Sequence, residues 1–127
     1  MPSPESEAAN ALLEASGEDE AVVRALLDSG AIGDRVIGFH AQQAVEKALK
    51  ATLAARGVDY PLTHDIARLL DVIGRDGLPA ALPAAAAEDL TPWASELRYG
   101  GAADSKLDRA AALAVVEAVR AWAEREV

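Results

Sequence analysis

The chain has 127 residues and no cysteine, and its length suits a single domain over residues 1–127 with one hydrophobic core. Thirty residues are alanine and only five are aromatic, a composition that favours packed helices over a β-sandwich or barrel. The lack of cysteine excludes disulfides and thiolate zinc sites. The net charge of −9 argues against a protein that binds a phosphate backbone without a partner. Because the sequence has no long apolar run and no leader-like N-terminus, we expect a cytoplasmic protein without a membrane segment.

The first predicted helix runs from about residue 6 to residue 29. Four of its apolar residues share one heptad phase: Leu12, Ala15, Val22 and Leu26. Asp19 occupies the intervening position, and the phase continues across Gly17. We therefore expect one helix with a weak point at Gly17, not two helices. Residues 1–30 also carry seven acids and one base, which makes this the most acidic part of the chain.

A second helix is predicted from about residue 33 to residue 56, where Gly57 is well placed to end it. One face is apolar and made mostly of small residues: Ile37, Ala41, Ala44, Val45, Ala48, Thr52 and Ala55. Small side chains allow a neighbouring helix to approach closely. The opposite face is polar, with Phe39 among its residues: His40, Gln43, Glu46, Lys47 and Lys50.

Three further helices are predicted. Thr63 is expected to cap a short one over about residues 64–73, with Asp65 in its first turn. The next spans about residues 84–97 and is either kinked or split at Pro92. The last spans about residues 105–126 and is apolar nearly all round, which suggests contact with several helices and with a second subunit. The sequence thus predicts an all-α, up-down helical bundle of four main helices plus a short helix.

The second helix and the residues after it resemble the HEPN domain family. Residues 39–51 read FHAQQAVEKALKA and residues 61–65 read PLTHD, followed by Leu69 and Leu70. Arg98 and Tyr99 before the last helix are similar to the family's RY element. The resemblance covers most of the chain and implies a compact helical bundle that forms homodimers. Many members are encoded beside a minimal nucleotidyltransferase, as two halves of a toxin–antitoxin or related module, and several branches are metal-independent ribonucleases.

The ribonuclease branches use an arginine followed four to six residues later by a histidine, at the start of a late helix. Arg35 and His40 satisfy this spacing but lie at the start of the second helix, with Val36 where a polar residue is usual. Their separation on a continuous helix also rotates the two side chains apart by roughly 140°. At the late position, Arg98 is followed by no histidine. We therefore expect the catalytic motif to be absent or degenerate, and we assign no catalytic residue.

The polar face of the second helix is a candidate surface for a nucleotide or a partner. His40, Gln43, Lys47 and Lys50 recur at intervals that place them on one face over roughly three turns. Two ammonium groups, an amide and an imidazole suit a phosphate and a base. The alternative is a solvated face with a helical ion pair between Glu46 and Lys50.

Four more residues complete the candidate surface: Phe39, His64, Arg98 and Tyr99. Phe39 either stacks on a base or is buried against another helix or subunit. His64 either forms a general-base pair with Asp65 or belongs to a helix cap and packs against the second helix, which we favour. Arg98 and Tyr99 precede a glycine pair that is either a phosphate-binding turn or a simple turn.

No metal site or cofactor is predicted, because two histidines without clustered carboxylates make a poor ligand set. Three hypotheses about function remain. The first is a non-catalytic or degenerate HEPN protein that dimerises and works with a nucleotidyltransferase, docked through the acidic first helix or the second-helix face. The second is a ribonuclease toxin with a divergent site that acts on RNA. The third is a nucleotide-binding module acting through Lys47, Lys50 and Arg98.

Overall fold

The computed structural model describes residues 3–77, 82–94 and 106–127, and these residues contain helices and no strand. The helices are α1 (Pro4–Ala25), α2 (Asp34–Ala55), α3 (Ile66–Arg75), α4 (Ala84–Glu88) and α5 (Arg109–Glu126). The predicted all-α bundle is therefore confirmed. Among the described ranges, no helix has the length and apolar character needed to cross a membrane.

α2 is the central helix, in contact with α1, α3 and α5. Its small-residue face is fully buried at Ala41, Ala44 and Ala48, which lets its neighbours pack closely. The helix ends as predicted, because Gly57 follows the cap with a φ of 67°. The amide of Gly57 donates to the carbonyl of Ala54, and the next amide, that of Val58, donates to Leu53. These two bonds form a Schellman motif, which requires the left-handed conformation that glycine adopts easily.

α1 is a single helix that continues through Gly17, as predicted, and its buried face is offset from the heptad phase of its apolar residues. The residues it buries are Ala9, Ser16, Asp19 and Val23. Leu12, Ala15, Val22 and Leu26, the heptad set, are only partly buried. Two of the four buried residues, Ser16 and Asp19, make hydrogen bonds to α2. The hydroxyl of Ser16, for example, donates to the carbonyl of Ala44 at 2.7 Å.

Gly17 marks a close approach between α1 and α5. A Cβ atom at this position would lie 3.2 Å from Nη2 of Arg120. The same guanidinium donates through Nε to the hydroxyl of Ser16 at 3.1 Å and through Nη1 to Glu20 at 3.2 Å. Glycine lowers the helix propensity at this position. Its lack of a side chain leaves room for the guanidinium of Arg120, which links α5 to α1.

The boundaries of the other helices correct two predictions and decide between two alternatives left open in a third. Asp65, not Thr63, is the N-cap of α3, because its carboxylate accepts from the amide of Ala67, whereas the hydroxyl of Thr63 accepts from the amide of Asp65. The predicted fourth helix ends at Glu88 and residues 92–94 are helical again, so it is split at Pro92, while residues 95–97 lie outside the described residues. α5 begins only at Arg109, where Asp108 accepts from the amide of Ala111.

Arg109 fastens the start of α5 to the loop between α1 and α2. Its Nε donates to Oδ1 of Asp34 at 2.7 Å, and its Nη atoms donate to the carbonyls of Ser29 at 2.6 Å and Ile32 at 2.9 Å. The hydrogen bond from Arg109 is the main reason that the pKa of Asp34 lies below its usual value, and the amide of Leu107 adds to the effect. The broad apolar surface predicted for the last helix is used within the chain, where α5 contacts α1, α2 and α4.

Gly38 provides the space for Trp93. A Cβ atom on Gly38 would lie 2.5 Å from the indole ring, closer than any van der Waals contact allows. Trp93 is 9% exposed and belongs to the hydrophobic core. The glycine near the start of α2 therefore lets helical residues 92–94 pack directly on the α2 backbone.

Candidate functional site

Two basic side chains of the polar face of α2 bind one carboxylate of α1. Nδ1 of His40 donates to Oδ1 of Asp19 at 2.8 Å, and Nζ of Lys47 donates to Oδ2 at 2.7 Å. Asp19 is 7% exposed. Both of its oxygens are occupied by cationic or imidazole donors, and we call these three residues the Asp19 cluster.

A second carboxylate, that of Glu46, collects donors from α2 and from the segment before α3. Gln42 and Lys50 each donate to it at 3.0 Å, and Nδ1 of His64 donates at 2.8 Å. The amide of Gln42 also donates to the backbone carbonyl of His64 at 2.9 Å, which holds residues 61–65 against α2. We call Gln42, Glu46, Lys50 and His64 the Glu46 cluster.

Glu46 is charged despite its burial. Only 4% of the residue is exposed, and this desolvation raises the pKa of the carboxyl. The hydrogen bonds from Gln42, His64 and Lys50 outweigh that effect and hold the pKa below its usual value of 4.5. An ionised carboxylate only accepts hydrogen bonds, so Nδ1 of His64 carries a proton.

The two clusters give the two histidines the same chemical arrangement. In each, Nδ1 faces a buried carboxylate that also accepts from a lysine. Nε2 is then the nitrogen left to meet solvent or another molecule. The His64 side chain is 66% exposed and that of His40 is 29% exposed, so the two differ in access.

The structure divides five of the predicted surface residues between the two clusters: His40 and Lys47 belong to the Asp19 cluster, and Lys50, His64 and Gln43 to the Glu46 cluster. Gln43 joins the Glu46 cluster because its amide donates to the side-chain oxygen of Gln42 at 2.7 Å. Phe39 lies at the edge of the Asp19 cluster, partly buried, with its ring edge-on to His40 and the ring centroids 5.5 Å apart. The predicted Arg98 and Tyr99 lie outside the described residues.

These contacts bear on two expectations about the histidines. The partner of the His64 imidazole is Glu46, while Asp65 caps α3, so the favoured interpretation, packing of His64 against the second helix, matches the geometry and a His64–Asp65 base pair does not. Arg35 is exposed, and His40 turns toward α1. The bare ribonuclease spacing of Arg35 and His40 therefore does not correspond to a paired arrangement of their side chains.

Sequence reasoning did not identify Asp19 and Gln42 as residues that organise the two clusters, and it did not predict the burial of Glu46. The ion pair between Glu46 and Lys50 was predicted and is present at 3.0 Å. The burial of Glu46 could not be foreseen, since it depends on residues 61–65 folding over it. The one available signal for Asp19 was an acid within the apolar heptad phase of the first helix.

Within the residues that the structure describes, no group of three or more histidine, aspartate or glutamate side chains is arranged to hold a metal ion.

A family model described as HEPN domain matches residues 9–126 of the chain. The search of curated proteins returned no match. The search of solved structures returned none either.

Proposed function

The chain belongs to the HEPN domain family, and on that premise we propose that it is a non-catalytic member that forms a homodimer and works with a minimal nucleotidyltransferase in a toxin–antitoxin-like module. The family match spans nearly the whole chain, so little sequence remains for another kind of domain within these 127 residues. The family does not by itself decide between catalytic and non-catalytic members. That choice depends on how the basic side chains are used.

The observation that carries the non-catalytic proposal is the pairing of four basic side chains with two buried carboxylates: His40 and Lys47 with Asp19, and Lys50 and His64 with Glu46. A metal-independent ribonuclease needs cationic groups that are free to stabilise the charge that develops on a phosphate. Here the carboxylates compensate both lysines, which weakens the attraction for RNA on a chain of net charge −9.

The acidic first helix supports a basic protein partner over a nucleic acid. Glu7 and Glu14 are exposed and lie seven residues apart, on the same outer face of α1. No ion pair within the described ranges engages either of them. A nucleotidyltransferase with a basic surface would gain favourable electrostatics here, and RNA would be repelled.

Copurification tests this proposal. The tagged chain is coexpressed from its native gene region, and if the proposal holds we expect a nucleotidyltransferase encoded beside it to elute together with the chain. The variant Glu7→Gln/Glu14→Gln should recover less partner, whereas Glu88→Gln/Asp89→Asn, which removes the same charge from two other exposed acids, should recover as much as the wild type. Elution of the chain without any nucleotidyltransferase would count against the module.

A ribonuclease with a divergent site is the second candidate, and one observation favours it. His64 is well exposed and its Nδ1 is bound to a carboxylate, the same arrangement that orients a general-base histidine in many hydrolases. Incubation of the purified chain with tRNA and mRNA separates the candidates. Intact RNA supports the non-catalytic proposal. Cleavage that disappears in His64→Ala and persists in His40→Ala would replace it with the ribonuclease.

A further inference from the structure

His64 is presented to solvent by a segment whose backbone is tied to two helices. Its side chain is 66% exposed, and that of the nearby Leu62 is almost completely exposed. The amide of Gln42 on α2 donates to the carbonyl of His64 at 2.9 Å, and α3 is capped by the next residue, Asp65. The imidazole is therefore accessible to a molecule from solution while its backbone position is fixed.

The His64 ring has one nitrogen engaged and one nitrogen available. Nδ1 donates to Oε1 of Glu46 at 2.8 Å, so the lone pair of the neutral ring lies on Nε2. In the described part of the chain, the ring makes no second hydrogen bond. An exposed imidazole nitrogen with a free lone pair is a nucleophile. Nε2 of His64 thus presents a nucleophilic atom to solvent.

Glu46 is placed to stabilise the product of an attack by Nε2. When Nε2 forms a bond to an electrophile, the ring keeps its proton on Nδ1 and becomes an imidazolium. The positive charge then develops beside a carboxylate of a residue that is 4% exposed, where the attraction is stronger than in water. Gln42 and Lys50 also donate to this carboxylate, which fixes its orientation before any reaction.

The charges around His64 indicate the class of electrophile. Glu46 is paired with Lys50, and Asp65 is followed in α3 by the exposed Arg68, so acidic and basic groups are balanced and an anion is not excluded. The Lys50 side chain is 14% exposed and committed to Glu46. It therefore offers little help in polarising a phosphoanhydride, whose transfer depends on such electrostatic stabilisation. An acyl phosphate needs less help, because a carboxylate is a good leaving group.

We propose that Nε2 of His64 accepts a phosphoryl group from a small acyl phosphate and that Glu46 stabilises the resulting phosphohistidine. The Nε2 lone pair forms the N–P bond, the P–O bond to the acyl group breaks, and its electron pair leaves with the carboxylate. The proton on Nδ1 stays in its hydrogen bond to Glu46, and no other proton moves. This modification goes beyond the proposed module and does not depend on it, since it needs only this chain and the donor.

His40 provides an internal comparison with the same chemistry and less access. Its Nδ1 also faces a buried carboxylate, that of Asp19. Its side chain, however, is only 29% exposed, and the ring of Phe39 lies edge-on to it with the centroids 5.5 Å apart. A phosphoryl donor must approach with its leaving group in line behind the phosphorus, which requires open space in front of the nitrogen. We therefore expect His64 to react in preference to His40.

Incubation of the full chain with phosphorus-labelled acetyl phosphate at about pH 8 tests the proposal. Peptide mapping under alkaline conditions locates the label, and phosphorus NMR distinguishes the Nε2 adduct from the Nδ1 adduct. We expect label on Nε2 of His64, at a rate at least about tenfold above that of His40 and that of either histidine in the guanidinium-unfolded chain. Equal labelling of the two histidines, or labelling of His64 no faster than in the unfolded chain, would overturn the proposal.

A pair of variants separates the effect of the carboxylate from that of exposure. Glu46→Gln should label His64 at least about tenfold more slowly, because the imidazolium loses its counter-charge. Asp19→Asn is the matched control, since it removes the other buried carboxylate and should leave the rate at His64 unchanged. Circular dichroism checks that both variants are folded, and the comparison of folded with unfolded wild type needs no variant. An unchanged rate at His64 in folded Glu46→Gln would overturn the role of Glu46.

The donor class has its own control in the same assay. ATP at the same concentration as acetyl phosphate should leave His64 unlabelled. Labelling by ATP at the rate seen with acetyl phosphate would overturn the assignment of an acyl phosphate. Transfer of the acetyl group to His64 in place of the phosphoryl group, which mass spectrometry distinguishes, would overturn the phosphoryl acceptor itself.

Discussion

Replacing Glu46 by glutamine removes a buried negative charge without changing the shape of the side chain. The Glu46 residue is 4% exposed, and its carboxylate accepts hydrogen bonds from Gln42, Lys50 and His64 at 2.8 to 3.0 Å. Glutamine retains one acceptor oxygen and adds a donor, which meets Lys50 and His64, themselves donors. The substitution therefore tests the charge of Glu46 and leaves core packing unchanged.

The expected loss follows from the kind of hydrogen bond that is weakened. A bond to a charged group contributes about 1.5–3 kcal/mol to stability, against roughly 0.5–1.5 kcal/mol for a neutral one. Lys50 is held at 14% exposure and gains little from water when its partner is neutralised. Weakening the two bonds from Lys50 and His64 should lower the free energy of unfolding by about 2–4 kcal/mol, which corresponds to a fall in Tm on the order of 10 °C.

Urea unfolding followed by circular dichroism at neutral pH measures this loss. The control is Glu88→Gln, which neutralises an exposed glutamate of α4 and should change the free energy of unfolding by less than about 0.5 kcal/mol. The reasoning is refuted if Glu46→Gln unfolds within about 0.5 kcal/mol of the wild type, because the carboxylate would then not be the centre of a stabilising cluster.

The pH dependence gives a second readout of the same group. Burial raises the pKa of Glu46, yet the three hydrogen bonds hold the pKa in the folded chain below the usual value of 4.5. Its stabilising contribution is therefore complete above pH 4.5 and is lost as the pH falls through the folded-state pKa. We expect the difference between wild type and Glu46→Gln to narrow steadily as the pH falls below 4.5. A difference that stays constant down to about pH 3 would contradict the ionised state of Glu46.

Three further predictions concern the fold and its ligands. Gly38→Ala should destabilise the chain by about 1–3 kcal/mol and change the fluorescence of Trp93, whereas Gly74→Ala, whose new methyl group meets no atom, should be neutral or slightly stabilising in a thermal melt. Arg109→Lys should lower the free energy of unfolding by about 2–3 kcal/mol, measured with urea, because an ammonium group cannot reach Asp34 and several carbonyls at once. A variant as stable as the wild type would contradict this. ATP and GTP at millimolar concentration should leave the Tm unchanged, and a clear rise with either would favour the nucleotide-binding module.

The central helix could be predicted from local features alone. The small-residue periodicity marks the buried face of α2, and Gly57 marks its end, so the predicted range of about 33–56 agrees closely with Asp34–Ala55. The fourth helix shows the limit of the same method. Pro92 could either kink or split it, and the choice depends on Trp93 packing against Gly38, a contact between residues far apart in sequence.

Spacing along the sequence could predict only the α2 residues of the candidate site. The spacing of His40, Lys47 and Lys50 predicted one shared face of α2, and in the structure His40 and Lys47 bind Asp19 whereas Lys50 binds Glu46. Their partners could not be found by spacing, since Asp19 lies on another helix whose inward face does not follow its most apolar stripe. Leu12 and Val22 dominate the heptad pattern of α1, yet they lie outside the core, so periodicity identified an apolar face without showing what covers it.

The central claim is that buried carboxylates accept hydrogen bonds from the basic side chains on the polar face of α2. The position of the proton on the two histidine rings tests it most directly. Long-range nitrogen–proton correlation spectra of the folded chain at about pH 8 distinguish the two neutral tautomers of each ring. We predict that His40 and His64 both carry the proton on Nδ1, where Asp19 and Glu46 accept it, and that Glu46→Gln changes only the spectrum of His64. A proton on Nε2 of both rings would contradict the two clusters and, with them, the non-catalytic function proposed for this chain.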